Sequence, residues 1–147
     1  MAKVFKGRVI TPGQAQAEAL VSRTGFNTLA SYQTALMFGD KEVKCGDQNN
    51  PELYKKPMIA KALCLPETIG STTGGMVLYC ACALDKQPAC MLFSKTIDPL
   101  AASGAILAAN WTEASMPVID ELGQDFLDYV EDGMTITVAP DGTVTVE

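Results

Sequence analysis

Two short apolar runs in the middle of the chain constrain the fold more than any other sequence feature. The first, IAKALCLP, covers residues 59–66 and ends at a proline, and the second, ACMLFS, covers residues 89–94. Runs of this length and character are typical of buried strands. A segment predicted to be helical follows each run, from about Thr72 to Leu84 and from Asp98 to Asn110. Strands that alternate with helices predict a compact α/β domain with a mixed sheet and helices packed on it.

Strand-like segments at both ends of the chain frame this centre. Lys3 to Ile10 and Ala15 to Ser22 are predicted strands separated by a TPGQ turn, and residues 134–147 predict a hairpin around a Pro-Asp-Gly turn. MPVI is strand-like, and residues 120–133 predict a short helix. Residues 23–39 have a mixed pattern, with TGFN predicted to be a loop. The pattern predicts one domain over residues 1–147.

The two central helical segments contain no charged residue over positions 72–84 and 100–109. A surface helix normally keeps one polar face. Two explanations remain open from the sequence. Both helices are sandwiched within this domain, or a partner subunit covers part of one of them.

The charge distribution limits the classes of partner. Seventeen acidic and eleven basic residues give a formal net charge of −6, and the Lys and Arg residues are scattered. We therefore expect no nucleic-acid partner. No window reaches the roughly 20 apolar residues that span a bilayer, and the first residues lack the apolar core of a secretory signal. We expect no membrane association and a cytoplasmic location.

The five cysteines do not form a recognisable ligand set. They stand at irregular spacings, no C-x-x-C pair occurs, and thiols in a cytosolic protein are normally reduced. We expect all five to be small buried apolar residues that bind no metal.

The segment ETIGSTTGG, residues 67–75, is the most suggestive part of the sequence. Ser71, Thr72 and Thr73 are candidate N-caps of the following helix. A helix N-terminus also offers amide donors and partial positive charge to an anion, and Gly70, Gly74 and Gly75 allow close approach of a ligand. A plain structural cap explains the same residues. A histidine base for Ser71 is excluded because the chain has no histidine, and a nucleotide P-loop is excluded because no lysine follows the glycines.

Five segments resemble the small swivelling domain of the aconitase X family. They occur in the family's order and cover nearly the whole chain: GRVITPGQAQAEALVS, LCLPETIGSTTGG, ACMLFSKTIDPLAASGAILA, MPVI and DGMTITVAPDGTVTV. The resemblance implies a swivelling β/β/α domain that closes over an active site carried mainly by a large catalytic subunit. It also implies a hydro-lyase that dehydrates a small hydroxy acid and uses an iron–sulfur cluster bound by that large subunit rather than by this chain.

The resemblance also assigns roles within the glycine-rich loop. Ser71 corresponds to the aconitase serine that acts as a base, and its alkoxide would be stabilised by helix amides and by cations from the large subunit. Gly70, Thr72 and Thr73 would then contact the substrate carboxylate. The family's counterpart of the segment around Asn27 borders the cleft, which makes Asn27 a candidate substrate contact, although packing of the loop is the simpler explanation of this residue.

Two substrates of the family compete. Many family loops carry Gly-Arg-Gly before the serine, whereas this chain has Thr68-Ile69-Gly70. The missing guanidinium would suit a phosphate or a second carboxylate. We therefore expect dehydration of cis-3-hydroxy-L-proline to 1-pyrroline-2-carboxylate. The alternatives are the small subunit of a phosphomevalonate dehydratase and a non-catalytic domain that binds an anion or a protein.

Overall fold

The protein, seen in a computed structural model that describes residues 2–147, contains ten strands and four helices in that range. The strands are β1 (Lys3–Lys6), β2 (Arg8–Thr11), β3 (Ala15–Val21), β4 (Phe26–Asn27), β5 (Ala62–Leu65), β6 (Thr68–Ile69), β7 (Cys90–Phe93), β8 (Val118–Asp120), β9 (Thr135–Val138) and β10 (Thr143–Val146). The helices are α1 (Thr28–Phe38), α2 (Gly74–Ala83), α3 (Pro99–Trp111) and α4 (Gln124–Tyr129).

Eight of these strands form one mixed sheet with the order β1-β10-β9-β3-β5-β7-β8-β2. The central strands β3, β5, β7 and β8 are parallel, and the outer pairs are antiparallel. The connections between the parallel strands contain α1, α2 and α3, which is the arrangement that a parallel pair requires. The predicted α/β class with a mixed sheet is confirmed.

The N-terminal segment that contains β1 and β2 joins the two ends of the sheet. The sequence predicts one strand from Lys3 to Ile10, but the structure divides it at Gly7. The half before Gly7 pairs with β10 and the half after it pairs with β8. The sheet therefore curls until its two edges meet. A side chain at Gly7 would lie 2.5 Å from the backbone oxygen of Asp120, so the junction requires glycine.

The central strands are buried on both faces. Alternate side chains of β5 and β7 enter two separate apolar clusters. One cluster holds Leu63 and Phe93 and is covered by α1, α2 and α3. The other holds Cys64 and Leu92 and is covered by α4 through Phe126.

Local structure differs from the sequence prediction at three places. Residues 28–38 form α1, a segment whose mixed pattern gave no assignment. The second helix begins at Gly74 rather than about Thr72, because the loop hydroxyls make a turn before it. Cys80 is exposed on α2, whereas the other four cysteines are buried as expected.

Candidate active site

The position of the glycine-rich loop is set by a short parallel strand pair. β6 follows the buried strand β5 and pairs with β4, which places Ile69 opposite Asn27. Gly70 then adopts φ +96°, a conformation that favours glycine. A Cβ atom at Gly70 would lie 2.6 Å from Nδ2 of the Asn27 side chain. Close packing against Asn27 therefore fixes the direction in which the chain leaves β6.

The Ser71 hydroxyl lies just before the N-terminus of α2 and is exposed. Its oxygen accepts a hydrogen bond from the backbone N–H of Thr73 at 3.1 Å and is hydrogen-bonded to the Thr73 hydroxyl at 2.8 Å. The Ser71 carbonyl accepts from the Gly74 N–H at 3.1 Å. Ser71 thus closes a tight turn and holds its side-chain oxygen beside a backbone donor.

A cavity of about 200 Å³ opens beside Ser71 and is lined by the first turns of three helices. Thr28 begins α1, Gly74 and Gly75 begin α2, and Ala101 lies in the first turn of α3. Each helix N-terminus carries partial positive charge, equivalent to about half an elementary charge. Three N-termini at one cavity direct partial positive charge and N–H donors towards a bound anion.

The only charged side chain among the described residues that line this cavity is Asp98. One of its carboxylate oxygens accepts from the Ala101 N–H at 3.0 Å and caps α3, and the other is hydrogen-bonded to the Thr68 hydroxyl. Both oxygens are therefore occupied within the chain. Asp98 ties β6, and with it the Ser71 loop, to the start of α3.

The structure brings most of the predicted site residues together. Gly70 and Ser71 line the cavity. Thr72 and Thr73 are exposed and are not among the cavity's lining residues, although Thr73 contacts the Ser71 oxygen directly. Asn27 lies behind Gly70, and its side-chain oxygen caps α1 by accepting from the Ala30 N–H at 3.1 Å.

One detail of the predicted cap is different. Thr73 occupies the N-cap position of α2, but its side chain makes no capping bond. The sequence reasoning also missed Thr28 and Asp98 as cavity residues. The Asp-Pro start of α3 was a visible signal for Asp98, but its meeting with the Ser71 loop depends on how distant elements pack.

The helix glycines stand in different surroundings. A side chain at Gly75 would lie 2.1 Å from the backbone oxygen of Leu100, and one at Gly104 would lie 2.0 Å from the oxygen of Gly75. Gly75 is therefore required because α2 and α3 touch backbone to backbone. Gly74 is different, since its nearest neighbour would be Thr28 at an ordinary 3.5 Å.

The cysteines of this chain do not fit an iron–sulfur cluster. Cys45 and Cys82 lie in one apolar cluster, Cys64 and Cys90 in the other, and Cys80 stands alone on the surface. Residues 2–147 contain no group of three His, Cys, Asp or Glu side chains that could hold a metal ion. Burial raises the pKa of the Cys90 thiol to about 12, which disfavours the thiolate that a metal binds. Within residues 2–147, none of the helices has the length and apolar character needed to cross a bilayer.

Comparison with known proteins agrees with this architecture. The model of the aconitase X swivel domain family matches residues 4–146. The phosphomevalonate dehydratase small subunit of Methanosarcina mazei is 31% identical over 136 residues, which cover 91% of this chain and 83% of that one. The same-named protein of Methanocella arvoryzae is 30% identical over 142 residues, covering 97% and 96% of the two chains.

A solved structure shows the same fold. The crystal structure of Thermococcus kodakaraensis aconitase X in its holo-form aligns with a TM-score of 0.81 and 25% identity, covering 99% of this chain and 98% of that chain. The family match covers almost every residue, and the strand order and helix positions described above belong to the matched region. The chain therefore belongs to the aconitase X swivel domain family, as its five sequence segments predicted.

Proposed function

We propose that this chain is the small subunit of an aconitase X-type dehydratase and that Ser71 is the base that removes a proton from the substrate. Family membership and relatives named as dehydratase small subunits support the reaction class. The observation that carries the assignment of Ser71 is its place beside a cavity on which three helix N-termini converge.

The chemistry needs a serine oxygen that can hold negative charge. A serine hydroxyl is ordinarily too weak an acid for this, so its alkoxide must be stabilised by donors and positive charge. The Thr73 N–H already donates to the Ser71 oxygen at 3.1 Å. The N-terminus of α2 lies immediately behind it, and the cations of a large subunit would complete the stabilisation.

In the proposed reaction, the Ser71 oxygen takes the proton from the carbon beside the substrate carboxylate. The electron pair left on that carbon forms the double bond as the neighbouring C–O bond breaks, and the hydroxide leaves as water with a proton from a general acid. From cis-3-hydroxy-L-proline this gives an enamine, which becomes 1-pyrroline-2-carboxylate when the ring nitrogen loses a proton and C3 gains one. The substrate carboxylate would lie at the helix N-termini, near Gly70, Thr72 and Thr73. Asn27 would position Gly70, since it packs against it.

The large subunit would supply what this chain does not. It would bind the iron–sulfur cluster, whose chemistry assists departure of the hydroxyl. It would also carry the general acid and the cations that balance the substrate carboxylate. This division agrees with the scattered cysteines of the small subunit.

The proposed substrate is cis-3-hydroxy-L-proline. Among the described residues that line the cavity none is Lys or Arg, and a single carboxylate at three helix N-termini needs fewer added cations than a substrate that also carries a phosphate. Phosphomevalonate is the second candidate, because the relatives at 30% and 31% identity are named for it. A phosphate substrate would require more cationic groups from the large subunit.

Substitution of Ser71 tests the proposal. Ser71→Ala in the complex with the large subunit from the same source should lower kcat by about 10²–10⁴-fold while the two subunits still assemble. Ser115→Ala is the matched control, since Ser115 is an exposed serine in the loop after α3. Turnover is measured by absorbance and assembly by size-exclusion chromatography with light scattering.

Near-normal turnover of the Ser71→Ala complex would refute the role of Ser71. A wild-type chain that stays monomeric and ignores the large subunit would instead favour the non-catalytic binding domain. Parallel assays of the intact complex with both candidate substrates decide between them, and turnover of phosphomevalonate alone would contradict the hydroxyproline proposal.

A further inference from the structure

The outer surface of α1, α2 and α3, here called the helical face, is unusually apolar. Apart from Val4, every exposed large apolar side chain of the described residues lies on these helices, just after α2, or in the Ser71 loop. Among them, Phe38 is 79% exposed, Trp111 is 70% exposed and Met76 is 69% exposed. Large contiguous apolar patches are rare on soluble monomers and mark interaction sites.

The helical face also lacks charge. None of the three helices contains Asp, Glu, Lys or Arg, although the chain has eleven basic and seventeen acidic residues. The inner sides of these helices cover the sheet, so their outer sides should be polar in a protein that acts alone. Of the two explanations left open by the sequence, burial within the domain is wrong for this outer surface, because its side chains are exposed.

Two grooves run along α2 on the helical face. The groove between α2 and α3 has a volume of about 550 Å³ and includes Leu107 and Trp111 in its wall. The groove between α1 and α2 has a volume of about 410 Å³ and includes Met37. Met76 and Cys80 border both grooves. They form the crest of a ridge that a partner would have to straddle.

The helical face is continuous with the Ser71 cavity. Gly75 and Leu100 line both the cavity and the α2–α3 groove, while Thr72 borders that groove and Thr73 borders the other. A protein seated in the two grooves would therefore reach the open side of Ser71. This continuity distinguishes a partner that completes the site from one that binds elsewhere.

The charge of the cavity argues against a second copy of this chain as the partner. The cavity contributes one carboxylate, Asp98, and no cationic side chain among its described lining residues. A second copy would bring the same uncharged helices and no cation to Ser71. The partner that fits would place apolar side chains in the two grooves beside α2 and basic groups only next to Ser71.

We propose that the helical face is the docking surface for the large catalytic subunit, which seats on both sides of α2 and so brings its cations over Ser71. This inference rests on the proposed function, because it takes the large subunit of the dehydratase as the partner.

Charge substitutions on the helical face test the docking surface. Met76→Glu and Trp111→Glu should each weaken binding of the cluster-loaded large subunit by about 30-fold or more, since each buries an unpaired carboxylate at a central apolar contact. Val4→Glu is the matched control, because Val4 is 62% exposed on β1 away from the helical face, and it should change the affinity less than about 3-fold. Binding is measured by calorimetry, and circular dichroism confirms that each variant is folded.

The wild-type chain gives a second readout that needs no substitution. Cys80 is exposed on the ridge, and its alkylation by iodoacetamide should slow by on the order of tenfold in the complex as its access to solvent is lost. Peptide mass spectrometry assigns the modified cysteine in the presence of those of the large subunit.

Failure of this inference and failure of the proposed function give different results. If the wild-type complex forms and dehydrates its substrate, but both Glu variants bind like Val4→Glu and Cys80 stays reactive, the docking surface is wrong and the function stands. If the wild-type chain neither binds the large subunit nor supports turnover, both proposals fail. A homodimer that Met76→Glu dissociates, and that persists beside the large subunit, would assign the helical face to a second copy instead.

Discussion

At the scale of single residues, the two adjacent glycines at the start of α2 differ in how strictly the structure requires them. Gly75 lies where α2 and α3 come into backbone contact, with the Leu100 oxygen 2.1 Å from the place a side chain would occupy. A side chain at Gly74 would have Thr28 as its nearest neighbour at an ordinary contact distance of 3.5 Å, so the packing there does not require glycine. The difference arises from an element 25 residues further along the chain, so local sequence does not reveal it.

Alanine substitution of each glycine separates the two cases. Gly75→Ala should lower the free energy of unfolding by roughly 1–3 kcal/mol, because the added methyl group forces α2 away from α3. Gly74→Ala should leave stability unchanged or raise it by up to about 1 kcal/mol, since alanine favours the helix. Urea denaturation measures both values, and equal effects of the two substitutions would contradict the close packing of the helices.

At the scale of elements, the sequence predicted some segments well and missed others. The start of α3 is confirmed, with Asp98 as its N-cap and Pro99 at the first helical position. The terminal hairpin of β9 and β10 is confirmed as well. α1 was missed because its apolar and polar residues do not follow a helical period, although Asn27 caps its start and Gly39 ends it in a left-handed conformation. Met37 and Phe38 on its outer side belong to the helical face, where exposed positions are apolar and amphipathic periodicity is lost.

The environment of the cysteines on these elements leads to a prediction about their reactivity. Burial raises the pKa of all four enclosed thiols, to about 12 for Cys90 and about 11 for Cys82, where nearby Asp85 contributes further. A raised pKa means less thiolate at pH 8, and burial blocks access to the reagent. We therefore expect one fast-reacting thiol in the native chain, that of Cys80, and four slow ones.

Labelling with a chromogenic disulfide reagent at pH 8 counts the fast thiols, and Cys80→Ser should abolish the fast phase. Two or more fast thiols in the folded wild-type protein would contradict the packing of the cysteines in the two apolar clusters. Unfolding in denaturant should make all five react.

At the scale of the whole molecule, the sheet is held closed where β2 meets β8. Asp120 is fully buried at this junction and accepts hydrogen bonds from Arg8 at 2.9 and 2.7 Å and from the Ile97 N–H at 2.8 Å. The strand that pairs with β8 is β2, which begins immediately after Gly7, where the two edges of the sheet meet. The same carboxylate therefore links β2, β8 and the segment that leads into α3 and the Ser71 cavity.

Removal of this carboxylate should destabilise the entire fold. Asp120→Ala leaves the buried Ile97 N–H without an acceptor, which costs about 1–3 kcal/mol. Glu42→Ala is the matched control, because the Glu42 carboxylate pairs with Lys44 on the exposed surface and such a pair contributes little. Thermal denaturation should show a clearly lower midpoint for Asp120→Ala only, and equal midpoints for both variants would contradict the role of Asp120 in closing the sheet.

The sequence by itself determined the α/β class, the short buried strands, the start of α3, the terminal hairpin and the glycine-rich loop around Ser71. These features depend on apolar runs, helix caps and turn residues, each of which involves only residues close together in the sequence. The tertiary structure alone decided that β1 and β2 lie at opposite ends of one curled sheet, that Gly75 is needed for helix contact, and that three helix N-termini meet beside Ser71. Each of these depends on contacts between segments far apart in the chain, which no local pattern encodes.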